Sequence, residues 1–244
     1  MDYIKLEVEN KYLERAHKEL NLPDFPSMDI IDKLYDAMDR TMEKSQKFMS
    51  MTTWIKLLEK KYKETSTSVA YGLAHFYKQQ EERQHNPHDP FYHPSVSFFT
   101  ENAVSRSFSL GDKLAQLINV FEDKGVQESG NSNSVSFYKI KNMTPLLINL
   151  DTLDEALQKL KIERHIHVHG LNPEMIRNEV LDYSRGSING NDVVNGKPVE
   201  IFMLGINEAK MPVVPYQQLI KCKEVLTSFQ TTISDVILKI EQSL

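Results

Sequence analysis

Apolar residues recur every three or four positions along most of the chain, which is the period of an amphipathic α-helix. The longest run extends from Ile31 to Tyr62 and predicts either one very long helix or two helices with a break near Ser50–Thr53. A shorter run predicts a first helix over residues 3–20, because Pro23 and Pro26 end it. The same period predicts four further helices, at about 66–83, 103–123, 151–163 and 215–244.

Signals for β-strands are few. Ser136–Ile140 and Val199–Leu204 favour short extended pieces, whereas Pro173 in a first turn predicts a short helix over 173–182. Only nine glycines and ten prolines occur in 244 residues, which suits long helices better than a many-stranded sheet. The pattern predicts an all-α fold, a helical bundle with long antiparallel helices and at most one or two short strand pieces.

The chain is predicted to form a single domain, 1–244. No linker separates two self-sufficient cores, and no internal repeat is present. Residues 1–26 are predicted to be an N-terminal helical extension. Loop inserts are expected where proline, glycine, serine and asparagine concentrate, near 85–96, 125–148 and 184–199.

The segment 103–123 has the pattern of a buried helix with a row of small residues. Ser107, Gly111 and Ala115 follow one another at intervals of four and therefore share one face. This row predicts that another helix approaches closely.

Charge and cysteine content narrow the function classes. A formal charge of −5 and a pI near 5.9 argue against a broad cationic surface that would bind duplex nucleic acid. They are compatible with a short RNA bound in a local pocket. The single cysteine, Cys222, is predicted to be packed in the last helix, as in proteins of a reducing compartment. No apolar run approaches the roughly 20 residues that span a membrane, and the N-terminus lacks the pattern of a secretory signal. We therefore expect a soluble cytoplasmic protein that does not contact membranes.

Two histidine-rich stretches are candidates for chemistry. In the first, the loop at 85–93, the histidines and Asp89 are possible metal ligands, but their spacing matches no metal motif, which favours a proline-stiffened surface loop. The second stretch, Glu163–Gly170, places three histidines on alternate positions directly after Arg164.

A strand and a helix give the second stretch different meanings. On a strand, His165, His167 and His169 would share one face and could bind zinc as in a His-x-His metallohydrolase. However, no histidine or cysteine that could complete such a site follows His169 except Cys222 of the last helix. On a helix, Arg164 continues the apolar stripe of residues 153–160, where its guanidinium can hold a phosphate.

The helical geometry sets a condition on a site that uses both Arg164 and His169. On an ideal helix these positions are about 140° apart, so they meet only if the helix ends between them or if a partner molecule closes the site. Gly170 and Pro173 predict that the helix ends here. A histidine can transfer protons near neutral pH, so the pair is sufficient for RNA cleavage by 2′-OH attack without a metal.

Arg164-His165-Ile166-His167-Val168-His169 resembles the Arg, four to six residues, His motif of the HEPN superfamily. His165 occupies the polar position that is commonly asparagine in that family. The segment 107–119 also resembles the core helix of these bundles, and the resemblance covers roughly residues 30–183 and extends to the last helix.

The resemblance implies a metal-independent endoribonuclease or RNA-binding protein with no cofactor, often a toxin or defence protein. Arg164 and His169 would be the catalytic pair and His165 the polar assistant. Such proteins are usually homodimers whose two motifs face one cleft, and an antitoxin or regulatory protein is a possible further partner.

Alternatives remain open at this point. The chain could be a non-catalytic helical interaction module or a nucleotide-binding HEPN protein, or, less favoured, the His-x-His metallohydrolase described above. The resemblance assigns no role to His167. Arg106 is interpreted as a surface residue, with a second phosphate contact as the alternative.

Overall fold

A computed structural model describes residues 7–26, 28–40, 44–85, 93–126, 135–144, 150–169, 181–184, 190–191, 198–199, 203–206 and 214–244. For several helix ends, including residues 162–169, and for the strands it describes the backbone alone. The chain divides into two compact units, Met1–Arg164 with Pro215–Leu244, and His165–Val214. No linker marks this division in the sequence.

Helices build the first unit, which confirms the all-α class. In chain order they are α1 (Asn10–Leu20), α2 (Met28–Arg40), α3 (Ser45–His85), α4 (Pro94–Phe121), α5 (Phe137–Met143), α6 (Leu150–His169) and α7 (Val214–Gln242). The unit boundary falls within α6.

The second unit carries two antiparallel pairs of short strands. Strand β1 (Leu181–Ser184) pairs with β4 (Met203–Ile206), and β2 (Gly190–Asn191) pairs with β3 (Pro198–Val199). These four short segments exceed the one or two expected. The pairing of Leu181 with Ile206 bridges residues far apart in the sequence, which local periodicity does not reveal.

Several sequence expectations in this unit need correction. The last two residues of the predicted helix 173–182 belong to strand β1 instead. Its residues 173–180 lie outside the described residues. The predicted loop 184–198 contains β2, and the single strand predicted at Val199–Leu204 corresponds to the end of β3 and the start of β4.

The break in the long apolar run lies between α2 and α3, before Ser45, and not near Ser50–Thr53. The hydroxyl of Thr53 donates to the carbonyl of Met49 at 3.0 Å. Such a bond satisfies a threonine inside a helix, so polar residues here do not end it. Ser66, predicted to cap a separate segment, likewise lies within α3 and donates to the carbonyl of Lys63 at 3.0 Å.

Two predicted loop regions contain helix. Pro94 begins α4, which extends the predicted 103–123 helix backwards, because proline is compatible with a first helical turn. Ser136–Ile140, predicted as extended, instead starts α5: Ser136 caps it by accepting from the amide of Lys139. Phe137 and Ile140, three positions apart, are buried by this helix.

The row of small residues on α4 is confirmed as a site of close approach. A β-carbon on Gly111 would lie 3.0 Å from Cδ1 of Leu157 and 3.5 Å from Cβ of Phe137. Helices α5 and α6 therefore pack against α4 at the position where its side chain is smallest.

The last helix begins at Val214 and ends at Gln242, close to the predicted 215–244. Its apolar stripe is fully buried, and it includes Cys222, as predicted. Near its start, Tyr216 donates to Glu19 of α1 at 2.8 Å, and Tyr77 of α3 donates to the same carboxylate. The N-terminal helix is therefore joined to both α3 and α7. No helix among the described residues is long and apolar enough to cross a membrane.

Alkaline pH is expected to destabilise the first unit through Tyr62. Burial, followed by the negative charge of Asp24, raises the pKa of Tyr62 to about 12, and its hydroxyl donates to the carbonyl of Pro23 at 3.0 Å. Because the folded pKa exceeds the unfolded value of about 10, this contribution is complete below pH ~10 and is lost as the pH rises towards ~12.

Urea unfolding at pH 8 and at pH ~11 measures this effect. We expect Tyr62→Phe to lose less stability between these pH values than the parent protein. The same substitution at the exposed Tyr35 is the control and should leave the pH difference unchanged. An equal loss in Tyr62→Phe and the parent would contradict the assignment.

Candidate functional site

Helix α6 presents the Arg-His segment at its C-terminal end. Its first three turns are anchored in the core by Leu153, Leu157 and Leu160, each at most 1% exposed. Lys141 of α5 forms ion pairs with Asp151, at 2.7 Å, and with Asp154. The apolar stripe and these ion pairs fix the part of the helix that leads to Arg164.

The structure places Arg164, His165, His167 and His169 on helical backbone, because α6 continues to His169. Their side chains lie outside the described residues. The prediction that the helix ends near Gly170 agrees with this boundary, but the helix does not end between Arg164 and His169. The three-histidine zinc site required this segment to be a β-strand, whereas its backbone is helical.

Helical spacing relates the four positions in a different way. On an ideal helix, positions 165 and 169 are one turn apart and differ by about 40°, whereas 167 differs from 165 by about 160°. A site built from positions 165 and 169 therefore excludes 167 from the same face. Position 164 differs from 169 by about 140°.

The structure describes the two ends of the loop predicted at 85–93: His85 is the last residue of α3, and His93 has a structural role. Its Nδ1 accepts from the amide of Ser95 at 3.2 Å and caps α4, while its own amide donates to Oε1 of Gln79 at 3.0 Å. Residues 86–92 lie outside the described residues. Among the side chains that the structure describes, no three His, Cys, Asp or Glu residues gather as a metal site.

Arg106 is neither a free surface residue nor a part of the 163–170 segment. Its guanidinium forms an ion pair with Glu64 of α3, and its side chain is 34% exposed. It lines a groove of about 590 Å³ with three lysines, Lys56, Lys60 and Lys63. Sequence reasoning missed this cationic groove, although the lysines recur at intervals of four and three along one predicted helix.

A second pocket that sequence reasoning missed lies between α1, α3 and α7. Glu19, Tyr77 and Tyr216 line it, and the guanidinium of Arg15 lies 3.9 Å from the ring centroid of Tyr77. Burial, followed by the hydrogen bond to Glu19, raises the pKa of Tyr77. No sequence signal joins these residues, because they come from three helices far apart along the chain.

Comparison with known proteins gives a match to a family model. The model of the Cthe2314-like HEPN family matches residues 54–241, well over half of the chain. No curated protein and no solved structure matches. The matched range includes most of α3, all of α4 and α6, and α7 up to Glu241, and with them the Arg164–His169 segment. The chain therefore belongs to the HEPN superfamily, in its Cthe2314-like family.

Proposed function

We propose that this protein is a metal-independent endoribonuclease in which Arg164 and His169 are the catalytic pair and His165 assists them. The observation that carries the proposal is an Arg-x4-His motif at the end of α6 in a chain that belongs to the HEPN superfamily. The general HEPN-type role follows from family membership. RNA as substrate, the catalytic roles and a cytoplasmic location are the parts that we propose.

The chemistry requires only groups that this segment contains. The 2′-OH of the substrate attacks the adjacent phosphorus, and the bond from phosphorus to the 5′-oxygen breaks, which gives a 2′,3′-cyclic phosphate and a 5′-hydroxyl. His169 takes the 2′-OH proton or supplies the proton that the leaving 5′-oxygen needs, since imidazole transfers protons near neutral pH. Solvent water exchanges the other proton, so the 2′-OH loses one proton and the 5′-oxygen gains one. The guanidinium of Arg164 stabilises the charge that develops on the phosphoryl oxygens.

A homodimer is part of the same proposal. Because α6 is helical through both positions, Arg164 and His169 are about 140° apart on an ideal helix and do not share one face. A second copy related by a two-fold axis would bring a second motif to the same cleft. The substrate would then lie between Arg164 of one copy and His169 of the other.

Cleavage in the presence of excess chelator tests the proposal. A single-stranded RNA labelled at its 5′ end is incubated with the protein in EDTA, and the products are resolved on a gel. We expect the rate to be the same with and without EDTA, because no step requires a metal. Loss of cleavage in EDTA that added zinc restores would instead support the metallohydrolase, and no cleavage in any condition would support the non-catalytic module.

A further inference from the structure

The face formed by α3 and α4 carries cations and aromatic rings side by side. The two helices run antiparallel, as cross-helix contacts from Trp54–Lys113 through Glu64–Arg106 to Tyr71–Phe99 show. Between the two aromatic ends lies the groove of about 590 Å³, the α3–α4 groove. From Trp54 to Tyr71 the distance along α3 is about 25 Å.

Cations outnumber carboxylates in the α3–α4 groove, although the whole chain carries a net charge of −5. The charged residues that line it are Lys56, Lys60, Lys63, Arg106, Glu59 and Glu64. Both carboxylates are already paired: Glu59 accepts from Lys63 at 2.7 Å, and Glu64 accepts from Arg106 and from the neighbouring Lys61.

Positive charge therefore remains uncompensated. Lys60 is exposed and forms no ion pair with the residues that the structure describes. Lys56 donates only to a neutral group, the hydroxyl of Tyr35, at 3.1 Å. The Lys61 ammonium, reinforced by Arg106 and Lys60, holds the pKa of Glu64 below its usual range, so this carboxylate stays ionised and paired at neutral pH.

Aromatic rings flank the cations at both ends of the α3–α4 groove. The ammonium of Lys113 lies 5.0 Å from the ring centroid of Trp54 at one end. At the other end the ring centroids of Tyr71 and Phe99 are 5.2 Å apart. The neighbouring Phe98 is 37% exposed. A cationic groove bordered by partly exposed aromatic rings is the arrangement that holds single-stranded nucleic acid, whose phosphates contact the cations and whose bases stack on the rings.

We propose that the α3–α4 groove binds single-stranded RNA, with its phosphates at Lys56 and Lys60 and its bases against the flanking rings. The proposal rests on the proposed function, because it supplies an anchoring surface for an RNA substrate. A single strand fits the observations better than a second copy of this chain, since charged side chains predominate in the lining of the groove, whereas the core of an interface between protein copies is depleted of them.

Binding of an RNA that the proposed chemistry cannot cleave tests the groove by itself. The probe is a fluorescein-labelled 2′-O-methyl oligouridylate of about 12 nucleotides, within the roughly 4–16 nucleotides that such surfaces hold. Its missing 2′-OH removes the nucleophile, so fluorescence anisotropy reports binding alone. In Lys56→Glu/Lys60→Glu we expect Kd to rise about 10-fold or more. The salt slope, log Kobs against log salt, should shrink by about 1.4, since each of the two lost phosphate contacts accounts for ~0.7.

The matched control is Lys18→Glu/Lys44→Glu, which makes the same change in net charge at two exposed lysines outside the groove. We expect its Kd to stay within about twofold of the parent value, since these lysines make no phosphate contact. Equal losses in the two double variants, or none in either, would overturn the proposal. So would an unchanged Kd together with a loss of dimer in analytical ultracentrifugation, which would assign the groove to a second copy.

The groove and the catalytic proposal fail separately. If the parent binds the probe through the groove but cleaves no unmodified RNA, the groove proposal stands and the endoribonuclease does not. If unmodified RNA is cleaved while the groove variants bind the probe as the parent does, the groove proposal is overturned and the catalytic pair stands.

Discussion

Replacing Arg164 or His169 by alanine is expected to lower the rate of RNA cleavage by about 10²–10³-fold in each case. Arg164→Ala removes the charge that stabilises the phosphoryl oxygens in the transition state. His169→Ala removes the group that transfers the proton. The measurement is a single-turnover cleavage assay with excess enzyme, which reports the chemical step without the contribution of product release.

Neither substitution should change the fold, because α6 is anchored by Leu153, Leu157 and Leu160 and not by its C-terminal end. Circular dichroism and urea unfolding of both variants check this. Lys161→Ala is the matched control, since it removes an exposed cation from the same helix three positions before Arg164. A loss in Lys161→Ala as large as that in Arg164→Ala would show that general positive charge, and not this arginine, supports cleavage.

Mixing the two inactive variants tests the shared cleft. If each site uses Arg164 of one copy and His169 of the other, a mixed dimer holds one intact site, and the mixture should recover about a quarter of the parent activity. The variants must be mixed under conditions that exchange subunits. No recovery in a mixture that has exchanged would contradict a site shared in this way.

Phe229→Ala is expected to lower the free energy of unfolding by about 3–5 kcal/mol. Phe229 is fully buried on α7, and its ring stacks on Tyr62 of α3 at 6.0 Å and on Phe25 at 6.3 Å. Alanine removes a large apolar surface and leaves a cavity at the point where three segments meet. Since typical domains are stable by about 5–15 kcal/mol, the loss is a large share of the total.

Urea unfolding followed by circular dichroism measures this change. Leu238→Ala on the same helix is the control, because Leu238 is 53% exposed and its truncation should change stability by less than about 0.5 kcal/mol. Similar losses in the two variants would contradict the placement of Phe229 in the core.

The helices of the first unit could be predicted from periodicity because their stripes are buried in a single core. The last helix is the clearest example, since its predicted stripe from Leu219 to Leu244 is buried as far as Ile240 and only Leu244, beyond the helix end, is exposed. The predicted position of the break between α2 and α3 was wrong. Serine and threonine at 50–53 are residue types that often end helices, but the hydroxyl of Thr53 donates to a backbone carbonyl of its own helix. Ser136–Ile140 was predicted to be extended, although serine is a preferred N-cap residue and here indicates the start of α5.

The second unit and the groove could not be predicted in the same way. Strand pairing between Leu181 and Ile206 depends on a partner 25 positions away, which no local pattern encodes. The groove depends on Arg106 lying opposite Glu64, which follows from the packing of α4 on α3 and not from either sequence alone. For the candidate site, the sequence predicts that a helix leads to Arg164, His165 and His169. An active site also requires a second surface opposite this helix, which the sequence of the helix does not encode.

The ends of the RNA products provide the most direct test of the central claim, metal-independent cleavage by Arg164 and His169. Unmodified single-stranded RNA is incubated in excess EDTA with the parent protein, Arg164→Ala or His169→Ala, and the fragments are identified by mass spectrometry. The parent should yield 2′,3′-cyclic phosphate and 5′-hydroxyl ends, and each variant should yield almost none. Fragments with 5′-phosphate ends, or the same products in equal amounts from all three proteins, would contradict it.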